Sequence, residues 1–442
     1  MKVLRGTFVH STPESPMVVL TDRVMGVLGT KIVFLEEGKH LEQLKAKHGF
    51  GDSCISFMTP SQFVMPGLVD THTHAPQFPN NGLKLDRELF GWVHKYTLPL
   101  EVTFSCEKVA RDVFKKVVNR LLCNGTTTAV YHAGLYLTAA KILVDEVHAK
   151  GQRALVGKDN MILNLPEYYC EAGVEASLRE TEDFIQYVME LKSPIVEAIL
   201  TPRFGPGCPR EQLEGLGKLA GKYNLHVQSH LAEINNRPPN VEHGFHSTMD
   251  ILNDFKKVGL LGNKTLMAHC VWLKEEELEQ LARAQAGVAH CPNSNLSLRS
   301  GLCDVRRFLD RGIKVGLGTD CSAGYCPSIL DAIRQALQVS KTLAILKPGY
   351  QFLSIQEAFR LATLGGAELI NMENRIGNFE VGKDFDALLV DVDAPRTPLD
   401  TFSNDTAEDK VQRFLYNGDD RNIVQVFVAG SCVVDHTAAR TL

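Results

Sequence analysis

The sequence predicts an α/β fold, a TIM-like (β/α)₈ barrel with a small β-sandwich domain built from both chain termini. Three observations carry that expectation. Eight near-continuously apolar runs alternate with amphipathic stretches between residues 64 and 320, the pattern of strands dry on both faces and the helices that cover them. The flanking segments alternate apolar and polar residues instead, like strands with one wet face. The 442 residues are 44% hydrophobic and 22% charged, ordinary for a globular protein with a large core. Length alone suggests about three domains, but a barrel commonly takes ~250 residues as one unit.

The N-terminal arm, residues 1–63, carries alternating runs at 6–9, 18–20 and 31–35. The barrel is expected over 64–375. Its apolar runs lie at 64–70, 126–131, 153–158, 195–203, 225–230, 265–269, 287–291 and 314–320. Helical periodicity fills the intervals at 105–124, 138–150, 176–192, 210–223, 248–258, 274–286 and 304–310. Ser105 is an N-cap candidate, and Gly125, Gly151 and Gly287 follow helices. The C-terminal arm, 376–442, opens on turn residues from Gly377 to Ala387 and continues with alternating runs at 387–391, 424–428 and 432–434. Two β-rich arms flanking one barrel come close enough to pair into a second, small domain.

Composition excludes several classes of partner. A net charge of −5 argues against nucleic acid. No apolar run approaches the ~18 residues of a membrane span, and the N-terminus lacks a signal-peptide core, so a cytoplasmic location is the default. The eleven cysteines form no CxxC pair and read as reduced, mostly core-filling thiols.

In a barrel of this kind the chemistry sits at the C-terminal ends of the strands. The first run ends in Asp70-Thr71-His72-Thr73-His74, and residues two apart on an extended chain point the same way. The fifth ends in His230, the sixth in His269 and the eighth in Asp320. Singly, a histidine at a strand end is more often a satisfied polar residue than a ligand. Four histidines and an aspartate at one rim suit a metal ion with an open position, Zn²⁺ first and Fe²⁺ as its competitor. Glu233, three residues beyond His230, stands where a carboxylate could take a proton from activated water. His94, His132, His148, His226, His243 and His246 lack such placement, and His290 either shapes the rim or caps the next helix. The fourth run ends in Thr201-Pro202-Arg203-Phe204, and Lys158 ends the third. No lysine therefore stands where a carbamate-bridged pair of ions would need it, which favours one metal.

The stretch from Met65 to His74, with His230, His269 and Asp320, resembles the amidohydrolase superfamily over nearly the whole chain. Lys95-Tyr96-Thr97-Leu98-Pro99, Thr201 to Phe204, His290 to Leu298, Leu330 to Arg334 and Gly377 to Ala387 resemble its guanine deaminase branch. That resemblance implies a cytosolic, homodimeric zinc hydrolase converting guanine to xanthine and ammonia, with one ion per subunit. It implies that His72, His74, His230 and Asp320 hold the metal, that Glu233 shuttles the proton, and that His269 polarises the incoming hydroxide. Gln77, Arg203 and Phe204 would hold the purine, beside His74, His230, Glu233 and Asp320. An Arg donor facing the O6 acceptor favours guanine over adenine, and Phe204 would stack on the ring. The chain departs from the branch's pattern at 234–239 and 321–324, near the rim. The rival readings are another aminated or halogenated heterocycle as substrate, or a non-catalytic cytoskeletal scaffold, which the intact ligand set disfavours.

Overall fold

The structure is a computed structural model that describes residues 1–235 and 247–437. Its larger sheet is parallel and takes its strands in chain order: Leu68–His74, Thr126–His132, Arg153–Gly157, Val196–Pro202, His226–Leu231, Thr265–His269, Gly287–His290 and Val315–Leu317. The short strand Asp159–Asn160 pairs with Val196–Pro202 beyond the third strand. Both faces are dry. Leu68, Ala129, Ala154, Met267 and Val288 pack outward into the helix layer. Val69, Val130, Leu155, Ile199 and Leu266 pack inward against Ala367 and Leu369 of the helix Leu364–Leu369, which fills one end of the barrel.

The ring closes where the first strand meets the chain leaving the eighth. Asp320 N–H donates to the His72 carbonyl at 2.8 Å, and His74 N–H donates to the Cys321 carbonyl at 3.0 Å. The Thr71 hydroxyl adds a bond to the Leu317 carbonyl at 2.9 Å. Gly318 lies against this seam, where a Cβ would stand 2.9 Å from the Cβ of His72. Only a glycine lets the two strands approach so closely.

The arms combine in a separate eight-stranded sheet, ordered Ser431–Asp435, Ile423–Val428, Ala387–Asp391, Gln62–Pro66, Lys2–His10, Val18–Leu28 and Lys31–Glu37, with Ile55–Phe57 also on Lys2–His10. In its pairing the expected sandwich is one continuous sheet, joined where Ala387–Asp391 runs antiparallel to Gln62–Pro66. The run expected as one strand at 64–70 is divided at Gly67. Residues up to Pro66 belong to the terminal sheet, and those from Leu68 belong to the barrel. A Cβ at Gly67 would meet Thr127 Oγ1 at 2.0 Å, so a residue without one marks the crossing.

Other expectations shift by a turn. The helix expected from Ser105 begins at Glu107 with Cys106 as its N-cap, and the Ser105 hydroxyl donates back to the Val102 carbonyl at 3.0 Å. Helices Ile329–Leu346, Ile355–Ala362, Leu364–Leu369 and Ala407–Asn417 were not anticipated. None of the described helices is long and apolar enough to cross a membrane, and the eleven cysteines form no disulfide.

One buried ion cluster ties barrel to arm. Arg153, on the third barrel strand and 0% exposed, donates to Asp386 at 2.8 and 3.1 Å and to Asp384 at 3.1 Å. Removing the cation leaves the buried Asp386 carboxylate without a counter-charge, while Asp384 keeps Lys31 at 2.8 Å, so Arg153→Met is expected to destabilise the protein by about 3 kcal/mol. Urea unfolding followed by fluorescence checks this, and an unchanged midpoint would show that water compensates the acids.

Candidate active site

At the C-terminal rim the imidazoles converge. His74 Nε2 lies 3.1 Å from His230 Nε2 and 3.3 Å from Asp320 Oδ1, and His72 Nε2 lies 3.2 Å from the same oxygen. His269 Nε2 stands 3.8 Å from Asp320 Oδ2 and 3.8 Å from Glu233 Oε2. Local backbone irregularities aim these groups. Val69 faces the interior, so regular alternation would turn His72 and His74 toward the helices. A register shift between Asp70 and Thr73 re-aims them. His269 (φ 70°) and Asp320 (φ 44°) occupy the left-handed region, a strain that concentrates at functional sites.

The donor set fits a metal ion. Zinc–ligand bonds of ~2.0–2.1 Å in a tetrahedron place ligand atoms about 3.3 Å apart, and the distances of 3.1–3.3 Å match that edge. His72 Nε2, His269 Nε2 and Asp320 Oδ1 are buried without a hydrogen-bond partner, which is costly unless a cation completes them. The second nitrogens are committed elsewhere. His230 Nδ1 donates to the Arg203 carbonyl at 2.6 Å, and His269 Nδ1 lies 2.9 Å from Asn295 Oδ1. A ring protonated at Nδ1 presents its lone pair at Nε2.

Electrostatics point the same way. Burial pulls His72 down to about 4. Burial, helped by the neighbouring His132 and His72 rings, holds His74 well below the usual histidine range, and burial with His72 and His132 does the same for His230. Burial alone would raise Asp320, but the adjoining imidazoles of His72 and His269 outweigh it and favour the carboxylate. Burial raises Glu233, against the opposing charge of His269. Glu233 also accepts from the Ser300 hydroxyl at 3.4 Å.

A polar array stands beside the imidazoles. Arg203 Nη1 donates to Glu101 Oε2 at 2.6 Å and Asp159 Oδ2 at 3.2 Å, and Nη2 donates to Glu101 Oε1 at 2.9 Å. Gln77 Nε2 and the Tyr169 hydroxyl also donate to Glu101, at 3.0 and 2.8 Å. Gln77, Arg203, half-buried Phe204, His74, His230, Glu233, His269 and Asp320 border one cavity of about 780 Å³, within the ~300–1,000 Å³ of small-molecule sites.

The structure therefore brings together the sequence-predicted residues and adds others. His132, expected to lack rim placement, ends the second strand and stacks on His74 with ring centroids 4.2 Å apart. The strand extends one residue past the expected end at Tyr131. Glu101, Asp159 and Asp70 carried no spacing signal. Asp70 accepts from Thr319 N at 3.0 Å, Thr319 Oγ1 at 2.5 Å and His72 N at 3.2 Å. His94 borders the cavity. His290 is fully buried with neither nitrogen bonded and caps nothing, since Cys291 precedes the helix Pro292–Ser297. Lys158 is paired with Glu171 at 2.5 Å. In the second departure from the expected pattern, Cys321 supplies the seam carbonyl and Ala323 borders the cavity. Of the first, residues 236–239 lie outside the described residues, as do His243 and His246.

Comparison with known proteins follows this geometry. Residues 63–433 match the Amidohydrolase family. The guanine deaminase of Mus musculus is 44% identical over 444 residues, covering 99% of this chain and 97% of the relative. That of Escherichia coli K12 is 30% identical over 447 residues, covering 98% of each. The crystal structure of guanine deaminase from C. acetobutylicum with guanine bound in the active site superposes with a TM-score of 0.88 at 34% identity, covering 98% of this chain and 100% of that one.

The depressed imidazoles have a measurable consequence. Three ordinary histidines would release ~2 protons to a divalent ion at pH 6, whereas His72, His74 and His230 are already neutral there. Calorimetric zinc titration in two buffers of different ionisation enthalpy is expected to show release of fewer than about 0.5 protons. Release near ~2 would contradict the buried, neutral site.

Proposed function

The chain belongs to the amidohydrolase family, and from that premise we propose that it hydrolyses guanine to xanthine and ammonia. The observation that carries the reading is the meeting, in one cavity, of a metal-fit donor set and a rigid guanidinium–carboxylate–amide array.

His72, His74, His230 and Asp320 would hold a zinc ion, with Fe²⁺ as competitor. When bound, the ion supplies Lewis-acid chemistry that brings the pKa of water toward ~7. The remaining steps belong to the chain's own residues. Glu233 takes a proton from the water that attacks C2 and returns it to a ring nitrogen, relieving the negative charge that attack places on the ring. Burial fits it for both directions, because its raised proton affinity narrows the gap to neutral pH. His269, held through Nδ1 by Asn295, keeps its Nε2 toward the same water. Asp320 Oδ2, 3.8 Å from His269 Nε2, takes the remaining proton of that attacking oxygen and passes it to the amine, whose C2–N bond breaks as the C2 carbonyl forms and ammonia departs.

Recognition follows from the array. Glu101 and Asp159 fix the Arg203 guanidinium, whose remaining N–H groups face an O6 acceptor and oppose the amine that adenine carries there. Gln77 commits its amide donor to Glu101 and keeps its carbonyl for an N–H of the base. Phe204 offers a ring face.

The test is purified protein supplied with zinc and guanine, followed by ultraviolet absorbance, ammonia release and metal analysis. Xanthine and ammonia are expected in equal amounts. Glu233→Gln should fold and keep its metal yet lose about 10²–10⁴ in kcat. Because Glu233 acts as its base form and burial raises its pKa, wild-type kcat/KM should fall on the acid side at a pH above the ordinary 4.5, and that limb should vanish in the variant. Full turnover by Glu233→Gln would remove the proton shuttle. Ammonia from another heterocycle but not from guanine would overturn the substrate and keep the chemistry.

A further inference from the structure

We propose that the chamber contains a second, all-nitrogen metal position formed by His72, His74, His132 and His230, which takes a nitrogen-preferring divalent cation such as Cu²⁺ in competition with the catalytic ion. The inference rests on reading His72, His74 and His230 as ligands, and it adds a donor that the proposed reaction does not use.

The ligand atoms of these four imidazoles all lie within 4.8 Å of one another. His132 is 0% exposed, with its ring stacked on His74 at 4.2 Å, edge-on to His72 at 4.9 Å and 5.1 Å from His230. Its Nδ1 lies 2.8 Å from Asp159 Oδ1. Asp159 is also held by Arg203 Nη1 at 3.2 Å. A carboxylate at Nδ1 keeps the ring proton there and leaves Nε2 a bare acceptor. That Nε2 has no hydrogen-bond partner. A buried acceptor among other acceptor nitrogens is unfavourable until a cation joins them. The carboxylate–imidazole pair has the form of a metal ligand with its supporting partner.

The two positions exclude each other. A neutral imidazole has one lone pair, and His230 Nδ1 is spent on the Arg203 carbonyl. The three shared rings cannot serve two ions, so an ion chooses between the Asp320 carboxylate and the His132 imidazole as its fourth donor. Four nitrogens suit Cu²⁺, which binds such donors more tightly than Zn²⁺ does. His269, whose Nε2 lies 3.8 Å from Glu233 Oε2, and Asp320, 3.8 Å from the same nitrogen, lie outside this set. An ion drawn to His132 therefore withdraws from the proton shuttle, and copper is expected to inhibit.

The test is electron paramagnetic resonance of metal-free protein loaded with Cu²⁺, using ¹⁵N-histidine labelling to count bound nitrogens. Wild type is expected to hold about one copper per chain with four imidazole nitrogens. His132→Phe should show three, bind copper about tenfold or more weakly, and lose sensitivity to copper inhibition by the same factor. Zinc stoichiometry and circular dichroism report whether that variant folds, and the wild-type nitrogen count stands without it. Three nitrogens in wild type, or two coppers per chain, would overturn the second position while leaving the catalytic ligands in place. Failure of wild type to bind either zinc or copper would overturn the ligand reading as well.

Discussion

Two backbone hydrogen bonds, Asp320 N–H to the His72 carbonyl and His74 N–H to the Cys321 carbonyl, set the spacing on which the whole site depends. They close the barrel and in doing so bring two histidines of the first strand within 3.2–3.3 Å of an aspartate nearly 250 positions later in the chain. Asp70 reinforces the seam from below by accepting from both Thr319 and His72, so the residue that opens the first strand's motif holds the end of the last. The seam also admits no side chain at Gly318. Ligand geometry is thus a consequence of barrel closure and is not left to flexible loops.

Above the seam, charge is balanced in a chain of contacts. Glu101 accepts four hydrogen bonds, two from Arg203 and one each from Gln77 and Tyr169. Asp159 links the same guanidinium to His132, which stacks on His74. The face that would read the base and the face that would hold the ion therefore share one carboxylate. Among the buried polar atoms without a partner are His72 Nε2, His269 Nε2 and Asp320 Oδ1, which face one another at the rim.

The barrel was legible in the sequence because its strands are dry on both faces and therefore read as solid apolar runs, and because its ligands fall at run ends. Continuity through Gly67 was not legible, since two strands in different sheets can share one unbroken apolar run. The helices after Asp320 lie beyond the last barrel strand and have no strand–helix alternation to frame them, although Ile329–Leu346 buries one apolar face. In the site, His72, His74, His230, His269 and Asp320 announced themselves by position. His132 lies one residue beyond the apolar run that marks its strand, so position alone did not single it out. Glu101 and Asp159 were invisible because a lone carboxylate gains meaning only from the arginine that folding delivers. The tautomers of His230 and His269 depend on Arg203 and Asn295, contacts that no spacing encodes.

X-ray absorption at the zinc edge tests the central claim most directly, because it reads the ligands themselves. With zinc bound, the account predicts a first shell of nitrogen and oxygen at ~2.0–2.1 Å with outer-shell scattering from three imidazole rings. Cys291 and Cys321 are buried nearby, so a shell at ~2.3 Å from sulfur, or scattering that lacks imidazole, would contradict it.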